Sequence, residues 1–262
     1  MSRRRAVGYL FAGALFYVLF LVATGPAYWM ETVANRLSHG KVALQQTRGT
    51  LWRGEGTLVL GPDQRPVRTG LRWTLRPLWL LAGRVRVEVA ASGEQIDGRG
   101  TLQFGYRRIG LIATEVSLPA SLAGLVYAPA DLFEPAGRVR IAVNAAQLSA
   151  AGLDGEIEAT WLDAGGRIEG LANVGDYRLA ITGRGPSAVL RLDTLRGEIN
   201  LAAHGEWLLS GDGAMRIEGA LTAGPQDNRI LPLLPDPRRS GNQYLFTMNA
   251  RLPLLDLLGL KN

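Results

Sequence analysis

Two periods of hydrophobicity divide the chain. From Ala6 to Met30 there is no charged residue, and Ala6 to Ala23 is nearly all apolar. Roughly 20 helical residues cross about 30 Å of hydrocarbon, so the run predicts a transmembrane helix over residues 6–27, with Pro26 as its stop. A cleaved secretory signal would share the basic start, but its apolar core is usually about 7–15 residues and this run is longer. Beyond it the period drops to two. Apolar residues fall at alternate positions in Leu71–Arg76, Arg84–Val89, Leu102–Tyr106, Arg138–Val143, Glu156–Trp161 and Met215–Glu218, which places them on one face of a strand. One dry and one wet face argues for antiparallel pairing, not for the near-continuous apolar strands of a doubly wound parallel sheet.

Gly-containing reversals separate these runs: Ser92-Gly93, Asp97-Gly98, Asp154-Gly155, Gly165-Gly166 and Gly211-Asp212-Gly213. Their spacing suits an all-β architecture. Glu31 to Gly40 is mildly amphipathic and reads as a juxtamembrane helix ending at Gly40. Pro77–Ala82 and Pro119–Val126 each begin with Pro and predict one or two helical turns. The predicted fold is therefore mainly β: one N-terminal transmembrane helix, then a largely antiparallel, curved β-sheet domain with short helical turns. Residues 1–5 form a cytoplasmic tail, 6–27 the span, 28–48 a linker or helix, and 49–262 the β-rich domain. Gly-x-Gly-Thr-Leu occurs at both Gly54 and Gly98, as copies of one hairpin unit would produce. Such copies imply a long meander in two similar halves divided near 129–137, although chance matching of Gly-rich strands explains the likeness equally well.

Charge settles topology more than partners. Arg3, Arg4 and Arg5 supply half of the formal +6 and place the N-terminus in the cytoplasm, so the rest is translocated. Tyr28 and Trp29 sit where an interfacial aromatic belt is expected. The remaining chain is nearly balanced, which is no footprint for nucleic acid.

Chemistry finds no anchor. There is no Cys and only two His, His39 and His204, which removes thiolate nucleophiles, disulfides and His-rich metal sites. Gly-x-Gly triplets at Gly54, Gly98, Gly183 and Gly211 never reach dinucleotide-binding spacing, and no Gly-x-Ser-x-Gly elbow or Walker-type motif occurs. His204 reads as an exposed or hydrogen-bonded strand residue. No catalytic, cofactor or metal residue is assigned, and the expectation is a non-enzyme without a cofactor. Trp52, Trp73, Trp79, Trp161 and Trp207 occupy strand-like positions, where filling a core is favoured over lining a groove.

Gly49-Thr50-Leu51-Trp52-Arg53-Gly54-Glu55-Gly56, then Leu71 to Leu78 and Gly83-Arg84, resembles the opening of protein N of the bacterial type II (general) secretion pathway. Ala159 to Ala164, Gly175-Asp176-Tyr177-Arg178-Leu179 and Gly197 to Leu201 follow in the order of that family. The resemblance implies a single-pass protein of the bacterial inner membrane with a periplasmic β-rich domain. It implies other type II secretion envelope proteins as partners and supplies no family active site. Trp52, Arg53, Trp73, Arg76 and Trp79 are the candidate partner-binding residues, on the expectation that an exposed edge or concave face receives a partner strand. The rival reading is a membrane-anchored β-groove that handles lipid. It requires one apolar face left uncovered along its length, whereas a partner-binding sheet should bury that face under a helix or a second sheet.

Overall fold

Alternating strands stay dry on one side only if neighbours put their apolar residues on a common face, and one sheet does so along the domain. The structure, a computed structural model, describes residues 13, 17, 20, 24–37, 42–61, 66–125, 134–166, 173–222, 231 and 234–260. Its strands are β1 (Val42–Gly49), β2 (Arg53–Leu60), β3 (Val67–Leu75), β4 (Val85–Ser92), β5 (Asp97–Gly105), β6 (Arg108–Pro119) and β7 (Ala136–Ser149). They continue as β8 (Gly152–Gly165), β9 (Gly175–Gly185), β10 (Ser187–Gly197), β11 (Leu201–Leu208), β12 (Ala214–Thr222), β13 (Arg238–Ser240) and β14 (Gln243–Arg251). All 14 belong to one open sheet in chain order, except that β13 lies outside β14. Every pairing is antiparallel.

Directly opposed residues of an antiparallel pair share a face, so the register traces one apolar surface across the sheet. Leu44 opposes Leu58, Trp73 opposes Val89, Val87 opposes Leu102, and Leu102 opposes Leu111. The line continues through Leu148 and Leu153, Ile157 and Ile181, Leu190, Trp207 and Met215, and Ile217 and Met248. The other face carries the charges, among them Glu55 with Arg72 and Glu206 opposite Arg216.

Among the described residues no second sheet covers the apolar face. The accessible surface is 16941 Å², against about 11,000 Å² for a compact monomer of this mass. Burial comes instead from local covers. Helix α1 (Tyr28–Leu37) lays Met30 and Ala34 on Leu44, Trp73 and Val87. A 3-10 turn, Ala120–Leu125, brings Leu122 onto Val67 and Ile96. The C-terminal segment with helix α2 (Leu254–Leu257) buries Leu255 and Leu260 against Leu148, Leu153, Trp207 and Leu209.

A sequential meander alternates its turns between two rims. Turns β1–β2, β3–β4, β5–β6, β7–β8, β9–β10 and β11–β12, with the end of β14, form the first rim, and the remaining turns form the second. The C-terminal segment crosses the first rim. Leu252 N–H donates to the Gly213 carbonyl at 2.9 Å, and Arg107 Nη2 donates to the Leu260 carbonyl at 3.0 Å. Turns six strands apart thus meet one short segment, so the sheet curls about its apolar face.

The mainly β, antiparallel expectation holds, and Pro77–Ala82 forms a 3-10 helix with Gly83 in the left-handed conformation behind it. Two expected turns are strand. Asp97-Gly98 opens β5 and Asp154-Gly155 lies inside β8. Gly98 faces Val116 across the ladder, and a Cβ there would meet the Glu115 carbonyl and Val116. This glycine answers close approach and not a reversal. The ladder between β6 and β7 runs from Arg108 with Ser149 to Pro119 with Arg138, so the sheet is continuous from one side of their connection to the other; residues 129–133 of the expected division lie outside the described residues. The juxtamembrane helix is displaced toward the N-terminus, because Pro26 and Ala27 are already bonded to Thr50 and Gly49 and start it at Tyr28. Among the described residues no helix is long and apolar enough to cross a membrane. Arg3, Arg4, Arg5, Gly40 and most of the span expected over 6–27 lie outside the described residues.

Trp73 is 2% exposed and its ring fills the space a Cβ on Gly54 would need. Replacing Trp73 by Ala is expected to lower the unfolding free energy by about 3–5 kcal/mol, read from urea denaturation followed by far-UV circular dichroism. A loss below about 0.5 kcal/mol, the level of an ordinary surface substitution, would show that this cluster does not hold the first strands together.

Candidate partner-binding region and sheet edges

The β1–β2 and β3–β4 turns share the first rim, and this brings all five sequence-chosen residues to one end of β2 and β3. Leu75 N–H donates to the Trp52 carbonyl at 2.7 Å, which ties the two turns together. Trp73 Nε1 donates to the Leu51 carbonyl at 3.1 Å, so its ring is a buried post with a satisfied polar tip. Arg53 is exposed beside it and Trp52 half-buried. Arg76 makes a two-pronged contact with Glu88, at 3.0 and 3.2 Å. Trp79 stands in the 3-10 helix with the Arg86 guanidinium 5.6 Å from its ring centre, a cation–π contact. A shallow depression lies between Arg76, Leu78, Trp79 and Glu88.

A strand cannot be added at this place. β2, β3 and β4 are hydrogen-bonded on both sides, so the region offers turns and side chains but no open backbone. The edges are elsewhere. At one side stands β1, which shifts register between Gln45 and Arg48 and holds Gln46 at φ 53; a bulge of this kind spoils a pairing template. At the other, β13 covers only Gln243 to Leu245 of β14. Among the described residues nothing pairs with the outer side of Phe246 to Arg251.

Sequence reasoning also missed a charged clasp on the second rim. Asp176 is 8% exposed. It accepts the Asp163 N–H at 2.8 Å and Arg196 Nε at 3.0 Å, which fastens the ends of β8, β9 and β10. Next to it Tyr177 donates its hydroxyl to the Ile199 carbonyl at 3.0 Å. The signal was present in Gly175-Asp176-Tyr177, but the Arg196 partner is 20 residues away and meets it only through the β9–β10 register. His204 is exposed on β11, with Nε2 3.9 Å from Glu218. Tyr28 and Trp29 are exposed at the start of α1, their rings edge to face at 6.3 Å.

These features define an open, single-layer antiparallel sheet protein with an ordered turn cluster at one end and a part-covered edge strand. The family model for type II secretion system (T2SS), protein N, matches residues 40–242, and the chain belongs to that family as a component of the type II secretion system. No curated protein and no solved structure matches it.

Tyr177 gives a pH prediction. Burial, with the neighbouring Asp176 charge, pushes its phenol up to about 12 from 10.0. The unfolded chain therefore loses this proton first, and stability present below about pH 10 falls as pH rises toward 12. Wild type should lose more stability than Tyr177→Phe over that window, measured by denaturant midpoints at pH 9 and above. Equal losses in the two would show that Tyr177 does not drive the alkaline transition.

Proposed function

We propose that this chain is a non-enzymatic, inner-membrane-anchored component of the type II secretion machinery, with its N-terminus cytoplasmic. Its periplasmic sheet binds other envelope proteins of that machinery and so serves the export of folded proteins across the outer membrane. The observation that carries the reading is the outer side of β14. From Phe246 to Arg251 that strand has an unpaired flank among the described residues, with no Pro and no register shift, the devices that commonly blunt an edge. Its side chains alternate. Phe246, Met248 and Ala250 continue the apolar face, while Thr247, Asn249 and Arg251 continue the polar one. A partner strand with the same alternation would extend both faces, main-chain hydrogen bonds giving affinity and alternate side chains specificity. The missing nucleophile elbow, phosphate loop and cysteine support a role in binding and not in catalysis.

One observation favours a second reading, in which the curled face holds lipid. No second sheet lies over it among the described residues, and Ile157, Leu179, Ile181 and Leu192 are only half-buried. An acyl chain suits such a surface better than an extended peptide. The sheet's own backbone groups are taken up in its ladders, so a peptide lying there would leave its amides unpaired.

A photo-crosslinking residue placed singly at Thr247, Asn249, Leu179 and Leu192 in living cells separates the two. Capture of secretion-system proteins at Thr247 and Asn249 is the expected outcome. Capture of phospholipid or lipopolysaccharide at Leu179 and Leu192, with no protein at β14, would replace it with the lipid reading.

A further inference from the structure

Large apolar side chains that stand in solvent gather on the first rim. Tyr28 (57% exposed) and Trp29 open α1 beside the β1–β2 turn. Leu78 (78%) and Leu80 lie in the β3–β4 connection, Tyr106 (88%) in the β5–β6 turn, and Leu258 in the C-terminal segment. Toward the second rim, Leu195 and Leu245 are exposed among the described residues.

Arginines stand among these side chains. The first rim carries Arg53, Arg84, Arg108 and Arg184, all exposed and without a side-chain hydrogen bond or ion pair among the described residues. Among its acids, Glu88 is engaged by Arg76, Asp154 by the Gly185 N–H, and Asp212 by Arg251. The second rim carries Glu94, Asp97, Asp163, Glu198 and Asp236, together with the exposed Arg68, Arg238 and Arg239. There Arg138 is held by the Glu94 and Gln95 carbonyls and Arg196 by Asp176.

The chain also enters at the first rim. Leu51 N–H donates to the Gly25 carbonyl at 2.7 Å, Ala27 N–H to the Gly49 carbonyl at 3.3 Å, and Pro26 bridges Thr50. The uncharged run that begins at Ala6 therefore ends against the rim that bears both the exposed rings and the unpaired arginines.

We propose that this rim rests on the anionic phospholipid surface of the membrane, with Leu78, Tyr106 and Leu258 in the interface and Arg84 and Arg108 on lipid phosphates. The proposal rests on the anchored reading above and goes beyond it, since a tether alone leaves the sheet free to turn. Tyr, Trp and Leu flanked by Arg are the residues that settle at a lipid interface, and the guanidinium fork matches a phosphate with two parallel bonds. Arg84, Tyr106 and Arg108 border one shallow depression, and Arg107 ties the same turn to Leu260, so a broad lipid surface meets these tips together. Seated so, the strands lead away from the bilayer. A strand as long as β7, 14 residues, reaches about 45 Å, and β14 presents its flank along that height.

The absence of cysteine allows single reporters in the full chain. Leu78→Cys, Tyr106→Cys and, on the second rim, Glu94→Cys are labelled with an environment-sensitive fluorophore. Each is reconstituted into phosphatidylcholine vesicles with and without phosphatidylglycerol, including lipids that carry a quenching spin label. Labels at 78 and 106 should be quenched several-fold more than the label at 94. The difference should shrink without phosphatidylglycerol and in the Arg84→Glu, Arg108→Glu background. Protein that floats with the vesicles while all three labels behave alike would overturn the rim contact and leave the anchor standing. Protein that fails to float would overturn the anchor and this proposal with it.

Discussion

A single sheet has one apolar face and little besides itself to bury it. Everything else in this protein answers that constraint. The strands pair in chain order, with bulges in several ladders, so that Leu44, Trp73, Val87, Leu111, Leu153, Ile181 and Trp207 fall on the same side. The sheet curls about that side, and short pieces from the two ends and from the β6–β7 connection cover what curling leaves. Helix α1 closes the first strands over Trp73, and the C-terminal segment lays Leu255 and Leu260 over the middle ones. Removing either cover would expose apolar surface that the sheet has no second layer to hide.

The same architecture sorts the surface into places with different uses. Interior strands are saturated by their neighbours, so Trp52 to Trp79 can present turns and rings but no backbone. Edges alone have backbone to give, and the two edges differ: β1 is bulged at Gln46, while β14 is regular and covered only over Gln243 to Leu245 among the described residues. Rims collect what the ladders exclude. One gathers most of the exposed rings, and the other holds the Asp176 clasp. A sheet with a rim of exposed rings, an edge strand whose outer flank is unpaired among the described residues and an apolar hollow has three separate surfaces for an assembly of the type II secretion system.

Much of the fold was legible because strand alternation is a local property. Leu71–Arg76, Arg84–Val89, Arg138–Val143 and Glu156–Trp161 all lie in strands, and Pro77 opens a 3-10 helix. Asp97-Gly98 misled for a physical reason. An Asp-Gly pair is a strong turn signal, yet glycine also serves where a backbone comes close, and which need applies depends on Val116, a residue of another strand. The candidate site was legible only in part. Trp52, Arg53, Trp73, Arg76 and Trp79 do converge, because two turns on one rim are neighbours in any meander, but Trp73 is a core post and not a surface. Asp176 with Arg196, and Arg107 with Leu260, were invisible, since partners 20 and 153 residues apart meet only through register and curl.

The sequence by itself determined the class of structure, the strand-forming runs, the uncharged N-terminal stretch and the family, since each is written in local composition, period or motif. Only the tertiary structure decided which strands are edges, which face is covered and by what, and which turns share a rim. Those depend on the order of pairing and the sense of curling, which are set by the sum of many weak contacts between residues distant in the chain. A period of two says that a strand has a dry side. It does not say what that side will meet.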